Sequence, residues 1–273
     1  MDILVSLNEN YLPQLRVLLT SLFLNNPGVT CSIYLLHRNF DPSVLQPLQQ
    51  SLARLGHRLI PIQVDERLFQ GAPVMKQYPQ EMYFRLLAGQ LLPDTLDRVL
   101  YLDPDILVIN SLAALWNLEM GDALFAAASH QGAAELAGSV NRLRLGTDAN
   151  YYNSGVLLIN LSQCRAKIAP DAIFGYVREH AMELVLPDQD VLNALYGSQI
   201  LEIRDDLWNY DARNYGSYYM LSHGEADLAW VMAHTSILHF CGREKPWLPH
   251  YRRRFGVLYL HYMHLADKIL CDT

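Results

Sequence analysis

The chain has 273 residues, of which 51% are apolar and 18% charged, with a formal net charge of -7. That length supports a substantial core in one large domain or two small ones, and the composition is globular, which excludes a disordered or collagen-like chain. The negative balance argues against nucleic acid as a partner, while leaving room for a local basic patch or a metal-bridged anionic ligand.

Asp2–Leu7 is a short β-rich run, followed by a helix from Pro13 to Asn25 that Asn26-Pro27-Gly28 stops. Cys31–Leu36 is a second strand, Asp41-Pro42 opens a helix running to Leu55, and Arg58–Val64 is a third strand. This alternation predicts an α/β protein with a parallel sheet flanked by helices. Met75–Gln80 reads as a loop and Glu81–Leu91 as helical. Arg98–Asn110, RVLYLDPDILVIN, reads as one buried strand with Asp103 and Asp105 in its middle. Ser111–Leu118 is a short helix capped by Asn110 or Ser111, Leu124–Ala128 a strand, and Gly132–Ala149 a variable loop or helix. Tyr151–Asn160 is a strand entered through Asn153-Ser154-Gly155, and Pro170–Glu179 and Asp188–Leu195 are helices. Asp205–Ala226, rich in tyrosine, glycine and asparagine, suits a ligand-facing loop, and Ser236–Phe240 is a late strand.

Cys31, Cys164, Cys241 and Cys271 show no zinc or redox spacing, which favours a reducing compartment. The MDILVSLNENY terminus begins as a strand and carries no signal-peptide pattern, and no segment reaches the length of a spanning helix. The expected location is therefore cytoplasmic.

The acidic pair raises the chemical question. Ligands of α/β folds gather at the carboxyl ends of parallel strands, where Asp103 and Asp105 fall. Residues two apart in extended chain point the same way, so the two carboxylates converge on a space that suits a cation. Mg²⁺ and Mn²⁺ prefer such hard oxygen ligands and keep positions for phosphate oxygens. The alternative is a helix cap and a surface turn. A third ligand is offered by His239 in SILHFCGREKPW, although a lone histidine in an apolar strand is more often a core residue. Gly242 and Lys245 follow it, and a glycine-containing turn with a lysine suits phosphate oxygens.

YLDPDILV, YYNSGVLLIN, LPDQDVLN and HFCGREKPW, in this order between Met1 and Trp247, resemble the family 8 glycosyltransferases, retaining enzymes that use nucleotide sugars. The nearest likeness is to bacterial lipopolysaccharide galactosyl- and glucosyltransferases. The resemblance implies a GT-A fold, a Rossmann-like nucleotide-sugar site on a mixed, mostly parallel sheet. It implies a metal-dependent hexosyltransferase that moves glucose or galactose from a UDP-hexose to a saccharide acceptor such as a lipopolysaccharide precursor, with Mn²⁺ or Mg²⁺ as cofactor. Asp103, Asp105 and His239 are then the metal ligands, and Gly242 and Lys245 touch the diphosphate. Asn8, Asn10 and Tyr11 hold uracil, with Asn8 standing where the family commonly has aspartate. Arg85 contacts the donor, and Asn153, Asp188 and Gln189 line the sugar pocket as catalytic candidates.

Each assignment has a plainer alternative. Tyr11 is one of sixteen tyrosines and reads equally as a surface aromatic. Arg85 can pair with Glu81 one helical turn away, Asn153 can serve only a turn with Gly155, and Asp188 can be an N-cap. Retention allows a covalent intermediate on Gln189 or Asp190, or same-face attack; the neutral amide of Gln189 favours the latter. The acceptor walls are expected at Gly132–Ala149 and Asp205–Gly224, with Trp208, Tyr210, Tyr215, Tyr218 and Tyr219 either stacking on sugars or packing.

Residues 1–249 form the expected catalytic domain and 250–273 a basic, aromatic helical extension. Arg252, Arg253 and Arg254 beside Tyr251, Phe255, Leu258, Tyr259 and Leu260 suit peripheral contact with an anionic membrane carrying a lipid-linked acceptor; the alternative is an amphipathic helix docked on the domain. The rival functions are a nucleotidyltransferase acting on a sugar phosphate and a non-catalytic nucleotide-sugar binding protein.

Overall fold

The computed structural model describes residues 1–65, 80–129 and 140–270. Strand β1 (Asp2–Ser6) leads into the Leu12–Asn25 helix, whose first turn carries Pro13, and then to β2 (Ser32–His37). The Pro42–Arg54 helix follows, its first turn closed by Asp41 accepting the Ser43 N–H, and then β3 (Arg58–Gln63). Beyond lie β4 (Arg98–Leu102), β5 (Ile106–Val108), β6 (Phe125–Ala127), β7 (Val156–Asn160), β8 (Ile200–Glu202), β9 (Tyr210–Asp211) and β10 (Ile237–His239).

The main sheet has seven strands in the order β3-β2-β1-β4-β7-β6-β8. β7 runs antiparallel to both of its neighbours, while the β1–β2, β2–β3, β1–β4 and β6–β8 pairs are parallel, so the sheet is mixed and mostly parallel as expected. Side chains alternate between its faces. Leu4, Val99 and Tyr101 enter one buried cluster, and Ile3, Val5, Leu100 and Leu102 the other.

The run Arg98–Asn110 is two strands rather than one. β4 ends at Leu102, Asp103-Pro104-Asp105 turns the chain, and β5 enters a second sheet of order β5-β10-β9. Both strands are buried, so hydropathy alone does not separate them; Pro104, with no N–H to donate to a ladder, marks the break. Glu81–Leu91 also differs in detail. It is a 3-10 segment, Gln80–Leu87, followed by one α-turn, Ala88–Leu91. Gly89 lies in that turn, where a Cβ would meet Cys164 Cβ at 3.2 Å, so this turn packs close against the Leu161–Lys167 helix.

Residues 75–79 of the expected Met75–Gln80 loop and residues 130–139 lie outside the described residues; 140–145 are helical. Asp205–Ala226 is not a loop. It holds a helical turn, Asp205–Trp208, then β9, then the Tyr215–Leu221 helix. Tyr210 and Tyr218 are buried and stack at 4.1 Å, and Phe255 meets Tyr210 edge-on at 5.8 Å. The tyrosine richness there is mostly packing, because rings in contact with one another bury large areas.

The C-terminal Gly256–Leu270 helix docks on the Leu12–Asn25 helix, burying Tyr259, Ala266 and Leu270. Asn25 Nδ2 donates to Tyr262 Oη at 2.8 Å and to the Val108 carbonyl at 3.0 Å, tying both helices to β5. Phe255 and Tyr259 are therefore committed to packing, while Arg252, Arg253 and Arg254 stay exposed. Among the described residues no helix is long and apolar enough to cross a membrane.

Leu100 sits at the centre of β4 and is fully buried. Leu100→Ala is expected to lower unfolding free energy by about 2–5 kcal/mol, read as a lower urea midpoint at unchanged m-value. A midpoint within error of the parent would show that the site collapses around the smaller residue.

Candidate functional site

The Asp-Pro-Asp turn lies where the two sheets part. Asp103 N–H donates to the Gly155 carbonyl at 2.8 Å, extending the β4–β7 pairing by one step. Asp105 opens onto β5, and Phe240 N–H donates to its carbonyl at 3.0 Å, extending the β5–β10 pairing. His239 ends β10 and so arrives beside both acids. Its Nε2 lies 3.3 Å from Asp105 Oδ1 and 3.8 Å from Asp103 Oδ2. One ligand atom from each of the three residues lies within 4.8 Å of the others.

The imidazole is aimed at the acids, not at the hydrophobic interior. Nδ1 meets the Asn209 side-chain oxygen at 2.9 Å, so it carries the proton and donates. In the neutral ring Nε2 then offers a lone pair to the space between the carboxylates, as a metal ligand requires. Burial would lower the proton affinity of this ring, but the Cys241 sulfur and Asp105 beside it raise it above the ordinary range. Burial would likewise raise Asp105; His239 and Lys245 outweigh that and hold its carboxyl well below the usual carboxylate range. A proton on His239 and a divalent cation thus serve the same electrostatic need. Two carboxylates and one imidazole fit Mn²⁺ or Mg²⁺.

Arg85 is buried between the acids of both segments. It pairs with Asp103 at 2.9 Å and Asp188 at 3.4 Å, donates to the Ser154 carbonyl at 2.9 Å, and lies over the Tyr101 ring at 4.3 Å. These, rather than Glu81, are its ion-pair partners among the described residues. Asp188 is not an N-cap: its side chain accepts from Ser154 Oγ at 2.9 Å, within the Pro187–Tyr196 helix that Leu186 precedes. Burial, then Asp103, push its carboxyl up against the opposing pull of Arg85.

Asn153 makes the turn with Gly155 and also reaches the Pro187–Tyr196 helix. Its Oδ1 takes the Gly155 N–H at 2.9 Å, while its Nδ2 donates to Gln189 Oε1 at 3.1 Å. Asn209 Nδ2 in turn donates to Asn153 Oδ1 at 2.9 Å. A chain of amides therefore runs from Gln189 through Asn153 and Asn209 to His239. Asp190 stands outside the site. It is fully buried, accepts from Arg144, Tyr151 and the Val185 and Leu186 N–H groups, and has no oxygen left for chemistry.

Two clefts meet at the acidic pair. The larger, about 480 Å³, holds Asp188, Gln189, Asn153, His239, Gly242 and Lys245 as well as Asp103, Asp105 and Arg85. The smaller, about 210 Å³, holds Asn8 and Tyr11 and shares Arg85, Asp103 and Asp105. Tyr11 is 36% exposed and stands edge-on to Trp247 at 6.3 Å. Asn10 is the outlier. It lines a separate depression with Glu9 and Phe40, and its backbone N–H is held by Asn8 Oδ1 at 3.1 Å. Lys245 Nζ bonds Asp105 and donates to the Phe240 carbonyl at 2.9 Å.

Sequence reasoning missed Ser154, Asn209 and Arg213. Ser154 lies within the NSG stretch already singled out; Asn209 and Arg213 sit in the region read as a loop, with no spacing to connect them to the acids.

The family model for glycosyl transferase family 8 matches residues 2–250. General stress protein A of Bacillus subtilis (strain 168) is 27% identical over 96% of this chain and 93% of its own length. The lipopolysaccharide 1,2-glucosyltransferase of Escherichia coli (strain K12) is 26% identical over 90% of this chain and 72% of its own length. Among solved structures, the galactosyltransferase LgtC in complex with donor and acceptor sugar analogues matches with a TM-score of 0.81 at 24% identity, over 97% of this chain and 96% of that one. The expected GT-A fold is thereby borne out.

Gly155 sets the spacing of the acidic site. A Cβ there would overlap His239 Cε1 and lie 2.7 Å from Asp103 Oδ2. Gly155→Ala is expected to displace the imidazole and weaken Mn²⁺ binding by on the order of tenfold or more, read by electron paramagnetic resonance titration. Parental affinity in a folded variant would show that the three groups do not act together on the ion.

Proposed function

The chain belongs to glycosyl transferase family 8, and we propose that it is a metal-dependent, retaining hexosyltransferase moving glucose or galactose from a UDP-sugar to a saccharide acceptor, such as a lipopolysaccharide or other glycan precursor. The observation that carries this reading is the Asp103, Asp105 and His239 cluster between a cleft with Asn8 and Tyr11 and a cleft with Asp188 and Gln189. Such a division suits a ligand with a base at one end, a sugar at the other and a pyrophosphate between. The glucosyltransferase relative supports the sugar class.

In this reading Asp103, Asp105 and His239 hold Mn²⁺ or Mg²⁺. The bound ion supplies Lewis-acid neutralisation of charge on the departing diphosphate. Tyr11 stacks on uracil, and Asn8 orients it, exchanging its present bond to Asn10 N–H for the base. Lys245 and the Gly242 turn bind diphosphate oxygens, and Lys245 turns from Asp105 to do so. Arg85 keeps Asp103 and Asp188 in place, its charge assured by its carboxylate neighbours despite burial. Asp188 faces the positive charge that grows on the sugar ring, with Ser154 and Arg85 fixing its oxygens.

The saturated Asp190 and the neutral, doubly engaged Gln189 oxygen support same-face attack over a covalent intermediate. The acceptor hydroxyl passes its proton to the departing phosphate oxygen, and Gln189 and Asn153 orient donor hydroxyls. The exposed Arg252–Arg254 run supports peripheral contact with an anionic membrane on the cytoplasmic side, where a lipid-linked acceptor would be met.

A panel of UDP-sugars with Mn²⁺, followed as UDP release with and without acceptor, tests the reading. UDP-glucose or UDP-galactose is expected to turn over with the anomeric configuration kept. Asp103→Asn and Asp105→Asn should each lower kcat by about a hundredfold or more in folded protein. Near-parental turnover, or release of pyrophosphate instead of UDP, would count against it.

A further inference from the structure

Arg213 lines the larger cleft and takes no part in the cluster around the acids. Its charge has a fixed direction. Asp211, fully buried in β9, accepts Nε–H at 2.9 Å and Nη2–H at 2.7 Å, and also the Arg213 backbone N–H at 3.0 Å. This pair engages one bidentate edge of the planar guanidinium and leaves the other, Nη1 with the second Nη2 hydrogen, turned away from Asp211.

Gly242 makes room for that open edge. Its φ is +82°, and a Cβ there would fall 2.5 Å from Nη1. Residue 242 therefore carries a left-handed backbone, and the guanidinium occupies the space that a side chain there would fill. The other cations of the cleft are held deeper: the Arg85 side chain is 9% exposed on Asp103, and Lys245 is 18% exposed on Asp105, against 36% for Arg213. Arg213 is thus the cation of these three most open to a ligand.

Building on the hexosyltransferase reading, we propose that Arg213 selects the acceptor, a saccharide bearing a phosphate or carboxylate group that docks on the open guanidinium edge. The donor pyrophosphate has the same chemistry, and its proposed contacts Gly242 and Lys245 line this cleft too, so UDP affinity is the measurement that separates the two sources; Asn8 and Tyr11, on the uracil side, lie in the cleft that Arg213 does not line. Arg213 instead shares its cleft wall with Asn141, Tyr151, Gln189 and Cys241, on the sugar side of the acids. Asp211 is the positioning residue: it holds the fork and prevents the arginine from folding onto the metal carboxylates.

Arg213→Lys, Arg213→Gln and the double variant Asp211→Asn/Arg213→Gln test this, the last so that Asp211 is not left buried and unpaired. Saturation-transfer NMR with UDP and diamagnetic Mg²⁺ present measures binding of mannose 6-phosphate, galacturonic acid, mannose and galactose without any need for turnover. Calorimetry measures UDP affinity. The charged probes are expected to bind the parent about tenfold more tightly than the neutral ones, with the advantage lost in both Gln-containing variants and reduced in Arg213→Lys. UDP affinity should stay within about twofold, as expected where Gly242 and Lys245, and not Arg213, hold the diphosphate. Equal binding of charged and neutral probes to the parent overturns the proposal, as does a preference that survives Arg213→Gln. A tenfold loss of UDP affinity would assign Arg213 to the donor pyrophosphate and overturn it as well. Lack of UDP release from every UDP-sugar would tell against the hexosyltransferase reading alone, because the NMR preference reports on Arg213 directly.

Discussion

Two carboxylates held side by side at a half-closed site repel each other, and the fold around them is arranged to offset that repulsion. Asp103, Asp105 and Asp188 converge from a turn and a helix, and Arg85, Lys245 and His239 are placed against them. At such separations like charges in a partly dry environment cost several kcal/mol unless compensated. Arg85 does so from the protein side, with Tyr101 Oη donating to Asp103 at 2.6 Å beneath it. On the side facing the cleft, His239 and Lys245 supply the compensation, both against Asp105.

Backbone pairing delivers this arrangement. Asp103 continues the β4–β7 ladder and Asp105 the β5–β10 ladder, so one three-residue turn belongs to two sheets at once. β7 is antiparallel, and its entry therefore lies at the carboxyl end of β4; this brings Asn153, Ser154 and Gly155 to the acids from a distant part of the chain. His239 comes through the second sheet. The absence of a side chain at residue 155 allows all these segments to close on one small volume.

The aromatic residues near the C-terminus follow a different logic. Tyr210, Tyr218, Phe240, Phe255 and Tyr259 form a buried cluster beneath the second sheet, and Trp247, packed on Tyr259 at 5.5 Å, reaches from it to Tyr11. The C-terminal helix thereby supports the loop that carries Lys245. Composition cannot separate such a cluster from a sugar-binding wall, since both need flat, large, partly polar rings.

Much of the frame was legible in the order of residues. Alternating strands and helices, the prolines and caps at helix starts, and the Asp-Pro-Asp turn are local signals, decided by backbone geometry within a few residues, and they located the first three strands and the acids. The four quoted motifs carried the family, because each is a short run of residue types that can be read without knowing what packs beside it. What only the tertiary structure decided is pairing over long separations. The division of Arg98–Asn110 between two sheets, the choice of Asp103 and Asp188 over Glu81 by Arg85, the burial of Asp190 away from the cleft, and the Asp211–Arg213 fork beside Gly242 all depend on contacts between distant segments. A side chain's charge is written in the sequence, but its partner is set by which strand lies alongside, and ladder register rather than residue type determines that.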